Sequence, residues 1–420
     1  MVENIFPYEL PENWQWSTLG DVARIFTGNS INEKIKHEKY FGKTDGMTYI
    51  ATKDVGFDNV INYDTNIKIP ESENFKVAPK DTTLLCIEGG SAGKKIGFTN
   101  QPVCFVNKLC AFVSDEIYSK LIYFFMQTEI FLNQFNAKKH GLIGGVSIKN
   151  LAEILIPLPP LDEQKRIVAI IERLFSKLDA AKSIVQKVLD GYELRRAAIL
   201  HKAFTGELTK NFRAEHGLTL DDWQQKTLGD VLELSTQKIN SFNENLKYVG
   251  LENIEKDGGK INFQSAKDVK STKNIFHSGD LLYGKLRPYL NKHGIPNFDG
   301  VCSTDILVLN VNKLSANEFI NYFFSLPKFI EYAVSNSKGI NLPRVAAQII
   351  LQAEINLPPS AEQKEIVRVL DILLDKEQRT KEIAEKTLAE IDLLKRTILA
   401  RAFRGELGTN NPSEKLEALY

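Results

Sequence analysis

The stretch Ile156-Pro157-Leu158-Pro159-Pro160-Leu161-Asp162-Glu163-Gln164-Lys165 returns 199 residues later as Ile355-Asn356-Leu357-Pro358-Pro359-Ser360-Ala361-Glu362-Gln363-Lys364. In each copy an apolar run ends at two prolines and a helix opens behind them, with Asp162 placed to cap the first and acids in the opening turn favouring the helix dipole. Downstream, Ile167, Ile171, Leu174, Leu178, Ala181, Val185, Val188 and Tyr192 follow alternating steps of four and three, with Ile199 further on. That spacing predicts a heptad seam. The second copy repeats it at Ile366, Leu370, Leu373, Glu377, Thr380, Ala384, Thr387, Ile391, Leu394 and Ile398. Its three polar interruptions loosen the middle of the seam or fix its register. Gly206 and Gly405 are placed to stop the two helices, so each is about 40 residues and roughly 60 Å long. Neither can bury its seam alone. Antiparallel pairing within the chain is the simplest arrangement, and it would set two globular units at opposite ends of a ruler.

The repeat extends outward in both directions. Trp14-Gln15-Trp16-Ser17-Thr18-Leu19-Gly20-Asp21-Val22 recurs 209 residues on as Trp223 to Val231, and Tyr123-Phe124-Phe125 recurs at 199 as Tyr322-Phe323-Phe324. Phe204-Thr205-Gly206-Glu207-Leu208 recurs as Phe403 to Leu407. Two copies of one unit fill nearly the whole chain. The change of offset gives the first copy ten extra residues between Val22 and Tyr49, expected as a longer loop around Thr27 to Gly46. The expected division is a first globular domain at 1–157, a helix at 158–208, a second domain at 209–356, a helix at 357–408 and a tail at 409–420. Within the domains, strands are expected at Thr48 to Val55, Thr83 to Glu88 and Val103 to Val113, then a helix over Ile117 to Phe135. Their counterparts are Lys247 to Ile254, Asp280 to Tyr283, Val301 to Val311 and a helix from about Ala316 to Val334.

Composition narrows the function. Lys plus Arg equals Asp plus Glu at 53 each among 420 residues. A neutral chain generates no field to grip DNA unaided, because phosphate contacts supply most nonspecific affinity. No apolar run approaches the roughly 20 residues of a membrane span, and the first residues lack the pattern of a secretory signal. A cytoplasmic location is the expectation. Cys86, Cys104, Cys110 and Cys302 show no CxxC spacing, and the six histidines form no HExxH, so buried thiols are expected and a metal site is not.

The Gly-rich segment Gly89-Gly90-Ser91-Ala92-Gly93-Lys94-Lys95 is not a P-loop, since three residues rather than four separate Gly89 from Gly93 and Lys95 follows Lys94. What remains is either a plain glycine turn with solvated lysines or a basic turn offering Ser91, Lys94 and Lys95 to DNA. Its counterpart, Tyr283-Gly284-Lys285-Leu286-Arg287-Pro288-Tyr289-Leu290-Asn291-Lys292, offers Lys285, Arg287, Tyr289 and Lys292 within ten residues. Arg can read guanine bidentately, Asn can read adenine, and Tyr can stack. The Glu-x-Lys piece at Glu163 and Glu362 superficially matches a nuclease, but a position in a helix's first turn accounts for the acids. No Asn-Pro-Pro-Tyr methyltransferase signature, cofactor loop or GxSxG occurs.

The ordered set of repeated motifs resembles the specificity subunits of type I restriction-modification systems over essentially the whole chain. The resemblance implies an α/β (α+β) chain with two target recognition domains on curved antiparallel sheets, related by a pseudo-twofold repeat and separated by two long helices in an antiparallel coiled coil. It implies that each domain reads one half of a split, asymmetric double-stranded DNA target. The helices would set the gap and dock two modification subunits, with restriction subunits completing the complex. No cofactor is then expected in this chain, S-adenosylmethionine and ATP with Mg belonging to the partners. Carried onto these residues, the resemblance places DNA contacts near Ser91, Lys94 and Lys95, and near Lys285, Arg287, Tyr289 and Lys292. Arg344 is a further candidate, equally explained as an Arg at a helix start. The competing readings are a methyltransferase-nuclease with degenerate motifs and a coiled-coil scaffold whose domains bind proteins.

Overall fold

The structure, a computed structural model, describes residues 6–115, 117–140 and 144–407; the expected tail at 409–420 lies outside them. The chain forms two compact units, residues 1–185 with 386–420, and residues 186–385.

In the first unit a four-stranded antiparallel sheet orders Arg24–Thr27, Leu109–Val113, Thr83–Cys86 and Ile96–Phe98. Apart from Thr83 its central strands are apolar, because both faces are covered. Leu84, Cys86, Leu109 and Ala111 point to one side, where they meet Ile50, Val103 and Phe105 of a second sheet. Leu85, Cys110 and Phe112 point to the other side, onto helices. The second sheet orders Lys68–Ile69, Met47–Ile50, Val103–Phe105 and Val77–Ala78. One of its pairings is parallel, Tyr49 beside Cys104, and the others are antiparallel. Val103 to Val113 is two strands, one in each sheet, joined at Val106 to Lys108.

The expected helix over Ile117 to Phe135 is two, Ser119–Phe125 and Glu129–Ala137. Thr128 divides them, its hydroxyl donating to Phe125 O and accepting from Phe131 N–H as an N-cap. The ten extra residues before Tyr49 hold helical turns at Glu33–Ile35 and Lys36–Tyr40 rather than an open loop. Tyr40 anchors them in a satellite core with Tyr49, Ile67 and Ile69.

The second unit repeats this plan. Leu232–Leu234, Ile306–Val311, Leu281–Gly284 and His293–Gly294 form the sheet against the helices, and the other sheet again holds one parallel pairing, Tyr248 beside Val301. The helical segment is again double, Asn317–Phe324 and Pro327–Ser335. Here Pro327 forces the break, since proline fits a first helical turn but not the interior.

The repeated Pro-Pro-x-x-Glu-Gln segment fastens each spacer helix to its domain. Gln164 accepts from Tyr118 N–H at 2.9 Å and donates to Pro159 O at 2.9 Å. Gln363 accepts from Ala316 N–H and the Ser315 hydroxyl, and donates to Leu314 O and Pro358 O. Each buried glutamine thus satisfies an orphan donor at the start of the domain's helix pair. The neighbouring glutamates are buried too. Both Glu362 oxygens are occupied, by Arg213 and Thr209 at 2.6 Å and by Trp223 Nε1 at 2.9 Å. A helix-dipole role alone, as the sequence suggests, understates these acids, which build the junction.

Helix pairing is antiparallel in each unit. In the first, Lys182 pairs with Asp392 and Asp179 with Lys395, while Ile167 and Ile171 share a core with Leu399, Ala402 and Phe403. In the second, Arg195 pairs with Glu377, and Leu200 and Ala203 share a core with Ile366 and Leu370. Each globular domain is therefore completed by the end of the other copy's helix. Leu174, Leu178, Val185, Val188, Leu373 and Ile398 are half-buried along the seam, and Ile391 is buried. Leu394 is the exception at 49% exposure. A straight helix of period 3.6 drifts from a 3.5 repeat, so Leu399 turns inward, and Lys395 reaches across beside the Phe175 ring.

The second spacer helix runs unbroken through Ser360–Ala402, whereas the first is Leu161–Asp190 followed by Tyr192–Phe204. Gly191 marks the change. A Cβ there would lie 2.6 Å from Arg195 Nη1, so the glycine makes room for Arg195 to bond Val188 O while reaching Glu377. The polar interruption at Glu377 is thereby matched. Gly206 and Gly405, at φ 76° and 74°, end the helices.

Candidate DNA interface

In the first domain, Thr83–Cys86 runs through Gly89 to Lys95 into Ile96–Phe98. Gly93 has φ 78°, and a Cβ would sit 2.7 Å from the Phe135 ring, so only glycine lets the turn lie flat on the helices. Ala92 is buried, Ser91 is half-buried, and Gly90 and Lys94 face solvent. Of the two lysines at this tip, Lys94 is exposed and Lys95 half-buried.

In the second domain the same two strands enclose a more elaborate loop. Lys285 is held on both sides, its N–H donating to Asp305 O and its carbonyl accepting from Val345 N–H. A short 3-10 turn at Pro288–Leu290 lies between Arg287 and Asn291, both left-handed at φ 53° and 44°. Asparagine tolerates that region; arginine rarely occupies it. Pro288 and Asn291 are buried, whereas Arg287 and Tyr289 project outward. Such an outlier is sustained only by its surroundings.

Lys95 and Lys292 are each engaged within the protein. Lys95 Nζ donates to Thr52 O at 3.0 Å and lies 5.0 Å from the Phe57 ring centre. Lys292 Nζ donates to Leu251 O at 2.5 Å. Thr52 and Leu251 begin matching 3-10 turns. Gly97 and Gly294, which follow the two lysines, pack on Ile61 and Ile261. The lysines are therefore equivalent at an offset of 197, two residues short of the flanking repeat, and each pins its strand-joining loop to a neighbouring turn. Arg344 is also engaged, its guanidinium meeting both Asp305 oxygens at 3.0 and 3.2 Å. It braces the strand-like contact between Leu286 and Arg344. The sequence offered no sign of Ile340, fully exposed at the apex of the adjoining 338–344 loop. Part of that loop's counterpart, 141–143, lies outside the described residues.

Behind these loops the chemistry is muted. Burial pushes the Cys104 thiol up to about 11 and those of Cys110 and Cys302 up to about 12, so they stay protonated and unreactive at neutral pH. Burial likewise pulls His293 down to about 4, against the opposing effects of Asn321 and Asp257. Among the described residues, no three or more His, Cys, Asp or Glu cluster to hold a metal, and no helix is long and apolar enough to cross a membrane.

Two sheet-and-helix domains, each fastened to a spacer helix by the same Glu-Gln clamp and each presenting a different loop from the same strand pair, define a duplicated recognition scaffold. The family model of the type I restriction modification DNA specificity domain matches residues 11–189 and again 220–388. The chain belongs to this family, as a specificity subunit carrying two copies of the domain. It is 24% identical over 436 residues to the type I restriction enzyme EcoKI specificity subunit of Escherichia coli strain K12, covering 95% of this chain and 90% of that protein. Identity with the EcoDI specificity subunit of Escherichia coli is 26% over 283 residues, 61% of this chain and 63% of that one. A solved structure from work on complex assembly and conformational transition of the type I R-M system superposes with a TM-score of 0.72 at 20% identity, covering 96% of this chain and all of that one.

Proposed function

We propose that this chain reads a bipartite, asymmetric DNA sequence for a multisubunit adenine-N6 methyltransferase and its restriction partners in the cytoplasm, and performs no chemistry itself. Recognition domains at 1–157 and 209–356 each take one half-site, and spacer helices at 158–208 and 357–408 set the gap and dock two modification subunits. S-adenosylmethionine and ATP with Mg act on the partner subunits. The observation that carries this reading is the pair of strand-joining loops, equivalent in position and different in content. Ser91 and Lys94 meet DNA in the first domain, and Lys285, Arg287 and Tyr289 in the second. Lys95, Lys292 and Arg344 hold those loops in shape while adding positive charge.

Neutral overall charge makes the assembled complex the DNA-binding species, since the partners complete the clamp. The test is base-resolved methylation of DNA by the assembled complex, with and without Arg287→Ala. Loss of one bidentate base contact should cost about 1–3 kcal/mol and relax a single position of the second half-site. Unchanged affinity and base preference at fixed salt would remove Arg287 from the reading surface.

A further inference from the structure

The second reading loop is tied to a spacer helix by a short path of hydrogen bonds. Arg196, on Tyr192–Phe204, donates from Nη2 to Asp257 O at 2.8 Å. Asp257 N–H donates to Asn291 O at 2.8 Å, and Asn291 Nδ2 returns a bond to Asp257 Oδ1 at 3.1 Å. Asn291 closes the loop that begins at Arg287. Asp257 is itself left-handed at φ 57°, so three non-glycine residues along this path occupy a region that must be enforced from outside. Ser325 supports the same carbonyl from the domain's helix pair and also contacts the buried His293.

The corresponding place in the first domain is built differently. The residues 199 positions away from Arg196 and Asp257 are Lys395 and Asp58. Lys395 turns to Asp179 and the Phe175 ring. A groove of about 430 Å³ lies there, with Asp58, Lys94 and Lys395 among its walls. The helix-to-loop tie is a property of the second domain.

We infer that Arg196 is a positioning residue for base reading by the second domain, acting through Asp257 and Asn291 on the Arg287–Asn291 loop. This rests on the reading of that loop as a DNA contact. The experiment uses the full complex with modification subunits and compares wild type, Arg196→Met, Arg196→Lys and Arg287→Ala. Initial methylation rates are measured on cognate DNA and on DNAs carrying single base changes in either half-site. Arg196→Met should lose about tenfold of the discrimination at the second half-site, keep that at the first, and leave the salt dependence of binding unchanged. Arg196→Lys, which retains a donor, should recover part of the loss. Equal losses at both half-sites would mark a general loss of stability and overturn the inference. If Arg287→Ala relaxes the second half-site and Arg196→Met does not, the inference fails and the loop's function stands. If neither variant changes discrimination, the reading of the loop fails as well.

Discussion

At their bases the two domains share a glutamine clamp and a lysine pin; at their tips they differ. Gln164 and Gln363 both reach across to the first N–H of a domain helix and back to a proline carbonyl. Lys95 and Lys292 both tie a loop to the first residue of a 3-10 turn. Beyond those lysines the likeness ends. The first domain presents a glycine turn with one exposed lysine, whereas the second presents an arginine and a tyrosine on a loop with two left-handed residues. A fixed base with a variable tip allows one scaffold to carry different surfaces, because the exposed positions of a loop can change without disturbing the core.

The comparison can be broken most forcefully at the base. Arg213 and Glu362 are 8% and 0% exposed. Glu362→Ala should lower stability by about 3–5 kcal/mol, because a buried guanidinium loses its counter-charge. Thermal unfolding of the purified chain would show it, and a shift too small to detect would mean that the Arg213–Glu362 pair does not anchor the second junction. Next, Gln164→Ala and Gln363→Ala should both destabilise, at roughly 1–3 kcal/mol for each buried group left unpaired. Gln363 should be the costlier, having four bonds to Gln164's two. Denaturant titration of the two variants checks this, and a response from one copy alone would contradict a common base.

A smaller, one-sided effect is expected from pH. His293 is held neutral by burial at about 4, below its ordinary 6.5, so unfolding takes up a proton. Its stabilisation is complete above pH 6.5 and is lost as pH falls toward 4. Between pH 8 and pH 5 this removes about 2 kcal/mol. His293→Gln should flatten that part of the stability profile, while an unaltered profile would assign the acid sensitivity elsewhere. At the tip itself, Lys94→Ala should reduce the slope of log affinity against log salt by about 1. Lys95→Met should instead weaken base preference at the first half-site through loss of the pin. Identical behaviour of the two lysines would erase the distinction between contact and support.

Much of the fold was legible because repetition supplied an internal alignment. The matching Pro-Pro-x-x-Glu-Gln segments, the apolar seams and the terminal glycines predicted two spacer helices and two domains. Periodicity misplaced Leu394, since a seam counted at 3.5 residues departs from a helix wound at 3.6. It also ran together helix pairs that Thr128 and Pro327 divide. The two cation-bearing segments were legible as turns between strands, but charge alone could not separate Arg287, which projects into solvent, from Lys292, which bonds Leu251 O.

The sequence by itself determined the duplication, the heptad helices, the absence of familiar catalytic signatures and the loops that carry cations. Those features depend on neighbours along the chain or on fixed offsets. Only the tertiary structure decided which cations remain exposed, that Glu362 is buried with Arg213, that the end of each helix completes the other copy's domain, and that Arg196 bonds Asp257 O. Each depends on residues tens to hundreds of positions apart meeting within hydrogen-bond distance, and linear spacing does not encode which side chains a fold will bring together.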